Sequence, residues 1–255
     1  MTPPMVVITQ LSLQQGTRRL CDQLNLQLQQ GEMWLVLGQN GCGKSTLLTT
    51  LAGWHPAHTG AVYLAGQPLQ DYRPRERAKQ LAWIPQHDQH PFPTTVLEQV
   101  LTGCHARLSR FAWESQADHI QAHAWLAQLD LAGFAHRDLA TLSGGEQRRV
   151  ALATALMQQT PLLLLDEPLS QLDLRHQQQT LQLLQQHSDQ GHTLMLVSHD
   201  PNHARYCSHA LLLFGDGRWL AGTVEEVCTT ENLSALYQTP IFALTHGQDG
   251  WFVMR

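Results

Sequence analysis

Residues 38–46 read Gly-Gln-Asn-Gly-Cys-Gly-Lys-Ser-Thr, which places Gly38, Gly43, Lys44 and Ser45 at the spacing G-x-x-x-x-G-K-[ST] of a phosphate-binding loop. Glycines without Cβ let successive backbone N–H groups turn toward one centre, and a helix leaving the loop adds its positive dipole end. Lys44 would bridge β- and γ-phosphates as a charge, and Ser45 would give its hydroxyl to Mg²⁺. The spacing predicts a nucleoside triphosphate, with Gly38, Gln39, Asn40, Gly41, Cys42, Gly43, Lys44, Ser45 and Thr46 as its candidate contacts.

A second run, Leu162-Leu163-Leu164-Leu165-Asp166-Glu167-Pro168, is continuously apolar and ends in two acids. Such a strand belongs in a parallel sheet covered on both faces, and ligands gather at the carboxyl ends of such strands. Asp166 is the natural partner of Mg²⁺, directly or through water, and Glu167 is placed to polarise an attacking water as general base. A third run, Leu142-Ser143-Gly144-Gly145-Glu146, precedes a helical pattern. Ser143 reads as an N-cap followed by open backbone donors, a second anion site at a helix start.

These residues need elements to hold them. Short β-like segments at 5–8, 24–28, 33–37, 61–64 and 81–84 are broken by Gly and Pro turns around the helix of the phosphate loop. From 86 to 141 the texture changes to helix-forming Ala, Gln, Leu and His, as in 117–129, with strand signals almost absent. After Ser143 the α/β alternation returns: helix 146–158, strand 162–165, helix 175–187, strand 193–197 and a hairpin-like tail. Three regions of one domain are expected over 1–255: an αβ core at 1–85, a helical insert at 86–141 and a second part of the core at 142–255.

At 255 residues the chain has ample length to bury a core. Sixteen Lys and Arg against twenty-one Asp and Glu, without a long basic run, argue against a nucleic-acid partner. Most of the fifteen histidines, among them His87, His90, His119 and His123, lack metal-ligand spacing and read as solvated surface. Five cysteines, at positions 21, 42, 104, 207 and 228, form no C-x-x-C pair and point to a reducing compartment. The sequence Met1-Thr2-Pro3-Pro4-Met5 has no basic region leading into an apolar one, and no apolar run approaches the ~20 residues of a membrane span. Neither a signal peptide nor a span is expected.

The phosphate loop, the Leu142–Glu146 run and the Asp166-Glu167 strand end occur together in ATP-binding cassette (ABC) proteins, which the chain resembles over nearly its whole length. The resemblance implies an α/β P-loop NTPase fold of the ABC type with an antiparallel β subdomain and a helical subdomain insert. In that family two copies pack head to tail, and each ATP lies between the phosphate loop of one and the Ser143–Glu146 equivalent of the other. The resemblance further implies that Gln86, in Ile84-Pro85-Gln86, touches Mg²⁺ and the attacking water. Ser170-Gln171-Leu172-Asp173 is implied at the dimer contact, and His199, in Val197-Ser198-His199-Asp200, at the γ-phosphate. Metal contacts are thus Ser45, Gln86 and Asp166; catalytic positions are Glu167, His199 and Gln86.

One departure stands out. Cassettes commonly carry Tyr or Phe near the first strand to stack on adenine, whereas this chain reads Leu11-Ser12-Leu13-Gln14-Gln15-Gly16. Stacking contributes about 1–3 kcal/mol at nucleic-acid sites, so either adenine selectivity is loose or another side chain covers the base; no stacking residue is assigned. Cys42, beside Lys44 and a helix start, is expected to have a lowered thiol pKa. Its native role is to offer a backbone N–H, but alkylation is expected to block ATP binding and ATP to protect.

The stretch Pro91-Phe92-Pro93-Thr94-Thr95-Val96-Leu97-Glu98-Gln99-Val100-Leu101-Thr102-Gly103 resembles that of iron-chelate, haem and cobalamin importer ATPases. The run Leu172-Asp173-Leu174-Arg175-His176-Gln177 is similar to siderophore-importer ATPases. Glu225-Glu226-Val227, Thr230-Glu231-Asn232-Leu233 and Tyr237 resemble the tails of cobalamin and molybdate ATPases. The resemblance implies a peripheral ATPase on the cytoplasmic face of the membrane, bound to integral permease subunits and served indirectly by a substrate-binding protein. A molybdate-type oxyanion importer, a soluble iron–sulfur-assembly ATPase and an export ATPase are the alternatives.

Overall fold

The computed structural model describes residues 3–86, 93–109, 112–246 and 249–254. In chain order its elements are β1 Val6–Gln15, β2 Arg18–Leu28, β3 Met33–Leu37, α1 Lys44–Leu51, β4 Thr59–Leu64, β5 Gln67–Pro68, α2 Pro74–Arg77 and β6 Leu81–Ile84. There follow α3 Val96–Leu101, α4 Gln116–Gln128, α5 Gly144–Met157, β7 Leu162–Asp166, α6 Leu174–Asp189, β8 Thr193–Val197, β9 His209–Leu213 and β10 Trp219–Thr223. The chain closes with α7 Val224–Val227, α8 Thr230–Tyr237, β11 Ile241–His246 and β12 Asp249–Met254.

Six strands form one sheet in the order β10-β9-β3-β8-β7-β6. β9, β3, β8, β7 and β6 run parallel, and β10 is antiparallel at one edge. The period-2 alternation of a strand divides its apolar residues between two cores. Leu35, Leu37, Leu163, Leu165, Leu194 and Leu196 enter the one packed by α3, α4, α5 and α6. Trp34, Val36, Leu162, Leu164, Met195 and Val197 enter the other, with α1 and the strands β1 and β2. A separate antiparallel sheet has the order β2-β1-β4-β5.

The helices start where side chains satisfy the orphan N–H groups of the first turn. Thr95 with Glu98, Ser115 with Asp118 and Ser143 with Glu146 each form a reciprocal capping box, opening α3, α4 and α5. Two expectations differ from the structure. β1 runs to Gln15 rather than stopping at residue 8, because register shifts between Ile8 and Leu11 and the left-handed Gln10 break the alternation that marks a strand. The tail ends in the expected hairpin, β11 against β12, but α7 and α8 precede it, with Thr223 and Glu226 boxing the first and Thr229 capping the second. Pro91 and Phe92 of the importer-like stretch, with His87 and His90, lie outside the described residues.

Candidate functional site

The parallel order β3-β8-β7-β6 sets the carboxyl ends of four strands side by side. The loop after β3 is the phosphate loop, that after β8 carries His199, that after β7 carries Glu167, and that after β6 carries Gln86. Four segments far apart in sequence therefore open on one pocket of about 440 Å³, lined by Gln15, Asn40, Gly41, Gly43, Lys44, Ser45, Thr46, Gln86, Glu167 and His199.

The loop turns into α1 at Gly43, whose φ of +111° and closeness to Leu20, 2.8 Å from where a Cβ would stand, leave no room for a side chain. Lys44 is buried, and its ammonium donates to the carbonyls of Gly38 at 2.8 Å and Gln39 at 3.1 Å. The same loop gives Cys42 N–H to the Gln39 carbonyl at 3.2 Å. The Cys42 side chain overturns the expectation of an activated thiol: it is buried, and burial pushes its pKa up. That burial outweighs Lys44, the backbone N–H groups and Arg18, all of which act in the lowering direction. Cys42 does not line the pocket.

Across the pocket, Glu167 receives two hydrogen bonds. His199 Nε2 lies 2.5 Å from Oε1, and Gln86 Nε2 donates to Oε2 at 3.2 Å. Glu167 itself has a left-handed φ of 51°, a conformation that a non-glycine residue keeps only when its surroundings enforce it. Here the Glu167 carbonyl accepts from both Ser170 N at 3.1 Å and Ser170 Oγ at 2.8 Å.

Asp166 is buried at the end of β7, and burial raises its pKa while a hydrogen bond from the Ser45 hydroxyl opposes the shift. Its Oδ1 has no hydrogen-bond partner among the described residues. A buried carboxylate oxygen left without a partner is costly. With the Ser45 oxygen beside it, this pair is the hard-oxygen set that a divalent cation such as Mg²⁺ takes.

Ser143, Gly144, Gly145 and Glu146 do not line this pocket. Ser143 Oγ accepts from Glu146 N at 3.4 Å, and the Glu146 carboxylate accepts from Ser143 N and Oγ at 2.7 Å each, which holds its pKa down. Gln171 packs on the two glycines: its carbonyl oxygen would stand 2.7 Å from a Cβ on Gly145. Sequence spacing does not foretell that contact.

Two further residues escaped the sequence reading. Arg148, buried in α5, donates to the carbonyls of Pro85 at 2.6 Å and of Asp166, so it ties the backbone before Gln86 to the backbone before Glu167. Its place within the run Glu146-Gln147-Arg148-Arg149 was the available signal, since a charged pair on a helix that faces the core needs buried acceptors. Gln15 lines the pocket where the missing aromatic was noted.

A model of the ABC transporter family matches residues 21–170. The chain is 38% identical over 231 residues to the iron(3+)-hydroxamate import ATP-binding protein FhuC of Bacillus subtilis, spanning 90% of this chain and 86% of that one. It is 38% identical over 249 residues to the hemin import ATP-binding protein HmuV of Deinococcus radiodurans, spanning 95% and 94%. Among solved structures, an inward-facing one assigned to the metal-chelate type of ABC transporter matches with a TM-score of 0.84 at 31% identity, over 99% of this chain and 98% of that one. A dimeric ATP-binding cassette in a post-hydrolysis state with ADP and Pi matches with a TM-score of 0.78 at 27% identity, over 86% and 99%.

Proposed function

The chain belongs to the ABC transporter family, and from that premise we propose that it is the ATP-hydrolysing subunit of an importer taking up a metal chelate, such as an iron-siderophore or haem, or cobalamin, through separate permease subunits. The observation that carries the hydrolytic reading is the convergence of Gln86 and His199 on the two carboxylate oxygens of Glu167, in the pocket that also holds Lys44. The import reading draws on the relatives, one named for iron(3+)-hydroxamate import and another for hemin import.

In the reaction, the phosphate loop and the dipole end of α1 hold the triphosphate, and Lys44 supplies positive charge beside it. Glu167 accepts a proton from the water that attacks the terminal phosphorus. His199 and Gln86 fix the direction of its two oxygens, so the base is aimed before substrate arrives. Ser45 and Asp166 would hold Mg²⁺, and Gln86, whose amide nitrogen donates to Glu167, would offer it the amide oxygen. When bound there, that cation supplies charge neutralisation on the phosphates.

The chain's second glycine-rich helix start, at Ser143, does not line this pocket and would be the surface for a second copy, whose triphosphate it would cover. Closure of two copies around ATP is the motion that would pull on permease segments. It couples to nucleotide because ATP binds the closed arrangement better than the open one. No helix among the described residues is long and apolar enough to cross a membrane; the proposal puts the subunit peripherally, at the cytoplasmic face, beside a permease that a substrate-binding protein would feed.

Tagged chain purified from its native membranes tests this reading. A polytopic permease in an ATPase-active complex is the expected companion, identified by mass spectrometry. Recovery only from the soluble fraction, with soluble partners, would keep the ATPase and discard the importer.

A further inference from the structure

The tail beyond the matched residues 21–170 reaches back to two loops that border the catalytic pocket. The helix α8 ends at Gln238, which takes a left-handed φ of 55°. A helix end leaves its last carbonyls without partners inside the helix, and here one of them is used. The Leu236 carbonyl accepts from Gln39 Nε2 of the phosphate loop at 2.9 Å. The neighbouring residue turns the other way: the Tyr237 hydroxyl donates to the backbone carbonyl of His199 at 3.2 Å. Two consecutive residues at one helix end thus hold the phosphate loop and the His199 loop, which follow the neighbouring strands β3 and β8.

Their own placement is firm. Leu233 and Leu236 are buried in the core under the sheet, and Tyr237 packs against it. Ser234 Oγ accepts from Ile241 N at 2.9 Å, which fixes the helix to β11. The hairpin takes a second grip on the same loop. Asn202, three residues past His199, donates Nδ2 to the Phe252 carbonyl at 3.0 Å and accepts from Phe252 N at 2.7 Å. Burial and the Asp200 carboxylate raise the Tyr237 phenol pKa, so the hydroxyl keeps the proton it donates.

We propose that Tyr237 is a positioning residue for hydrolysis: with Leu236 it makes the end of α8 a spacer between the phosphate loop and the His199 loop, setting the distance at which His199 meets Glu167. The proposal rests on the reading of His199 and Glu167 as parts of the hydrolytic site. It assigns the tail a function in turnover, and it makes any partner that moves the exposed β11–β12 hairpin, where Phe242 and Leu244 face solvent, a lever on that spacing.

The test is steady-state ATP hydrolysis by the full chain as Tyr237→Phe, His199→Ala and the double variant. Losing one positioning hydrogen bond should lower kcat about three- to tenfold, with KM for ATP unchanged and the melting temperature lowered by no more than about 5 °C. In the His199→Ala background the same substitution should have no further effect, because both act through one group. Wild-type kcat in Tyr237→Phe, or an equal loss in both backgrounds, overturns the proposal and leaves the hydrolytic reading standing. Wild-type kcat in His199→Ala overturns the hydrolytic reading of that residue and the proposal with it.

Discussion

The molecule starts two helices from glycine-rich runs, and the two have opposite surroundings. At Gly43 the start of α1 is ringed by chemistry from its own chain: Lys44, Ser45, Gln86, Glu167 and His199 all face one pocket. At Ser143 the start of α5 is ringed by its own capping box and by Gln171, and no catalytic side chain of the same chain joins it in that pocket. A capping serine stabilises its helix by about 1 kcal/mol, which accounts for Ser143 and Glu146, and the closeness of Gln171 accounts for the two glycines, since a Cβ on Gly145 would stand 2.7 Å from its carbonyl oxygen. The first start is a finished site. The second is, on the proposed function, the half that would meet a ligand carried by another copy.

The sharpest way to test that contrast is to disable each start separately. Glu167→Gln keeps the shape but removes the base and turns one of the two acceptor oxygens into a donor, so turnover should fall about 10²–10⁴-fold while ATP still binds and closes two copies together. Stopped-time phosphate release beside an ATP-dependent shift in size-exclusion elution measures both. Near-normal turnover would dismiss Glu167 as the base.

Gly145→Ala acts on the other start. The added Cβ would meet the Gln171 carbonyl at 2.7 Å, a backbone atom that must move. A disturbance of about 1–3 kcal/mol in the Gln171 segment, which the proposed function puts at the contact between copies, converts to roughly a five- to 150-fold loss of turnover. ATP affinity of the separate chain, read by equilibrium fluorescence of a labelled nucleotide, should not change. A matching loss of affinity would merge the two starts into one site and end the comparison.

The contrast also explains what was readable in advance. The phosphate loop, the Asp166-Glu167 strand end and the Ser143 cap were legible because local chemistry dictates residue type: a phosphate cradle needs glycines and a lysine in adjacent positions, and a cap needs a hydroxyl. The parallel order that joins them followed from continuously apolar strands such as β7. Tyr237 was not legible, because its contact with His199 spans thirty-eight positions and depends on where α8 stops. Arg148 reaches Pro85 across sixty-three positions for the same kind of reason. β1 read short because its bulges interrupt the alternation, although the sheet continues through them.

Cys42 is where neighbours in sequence misled, and it offers the smallest test of how the first start is built. Lys44, nearby backbone N–H groups and Arg18 do act to lower its thiol pKa, but burial is the larger effect and the thiol ends above its ordinary range. The side chain is buried in the core that also holds Leu20 and Leu213, its sulfur close to Gly38, and it does not line the ligand pocket. Alkylation needs the thiolate, so Cys42 should react with iodoacetamide at neutral pH more slowly than in the unfolded chain, with the rate rising as pH is raised. Added ATP should protect little, since it would sit on the other side of the loop backbone. Peptide mapping of residue 42 by mass spectrometry, native against unfolded and with or without nucleotide, reads all three. Fast labelling that ATP abolishes would turn the thiol toward the phosphates and make the loop's glycines cradle a reactive group as well as an anion.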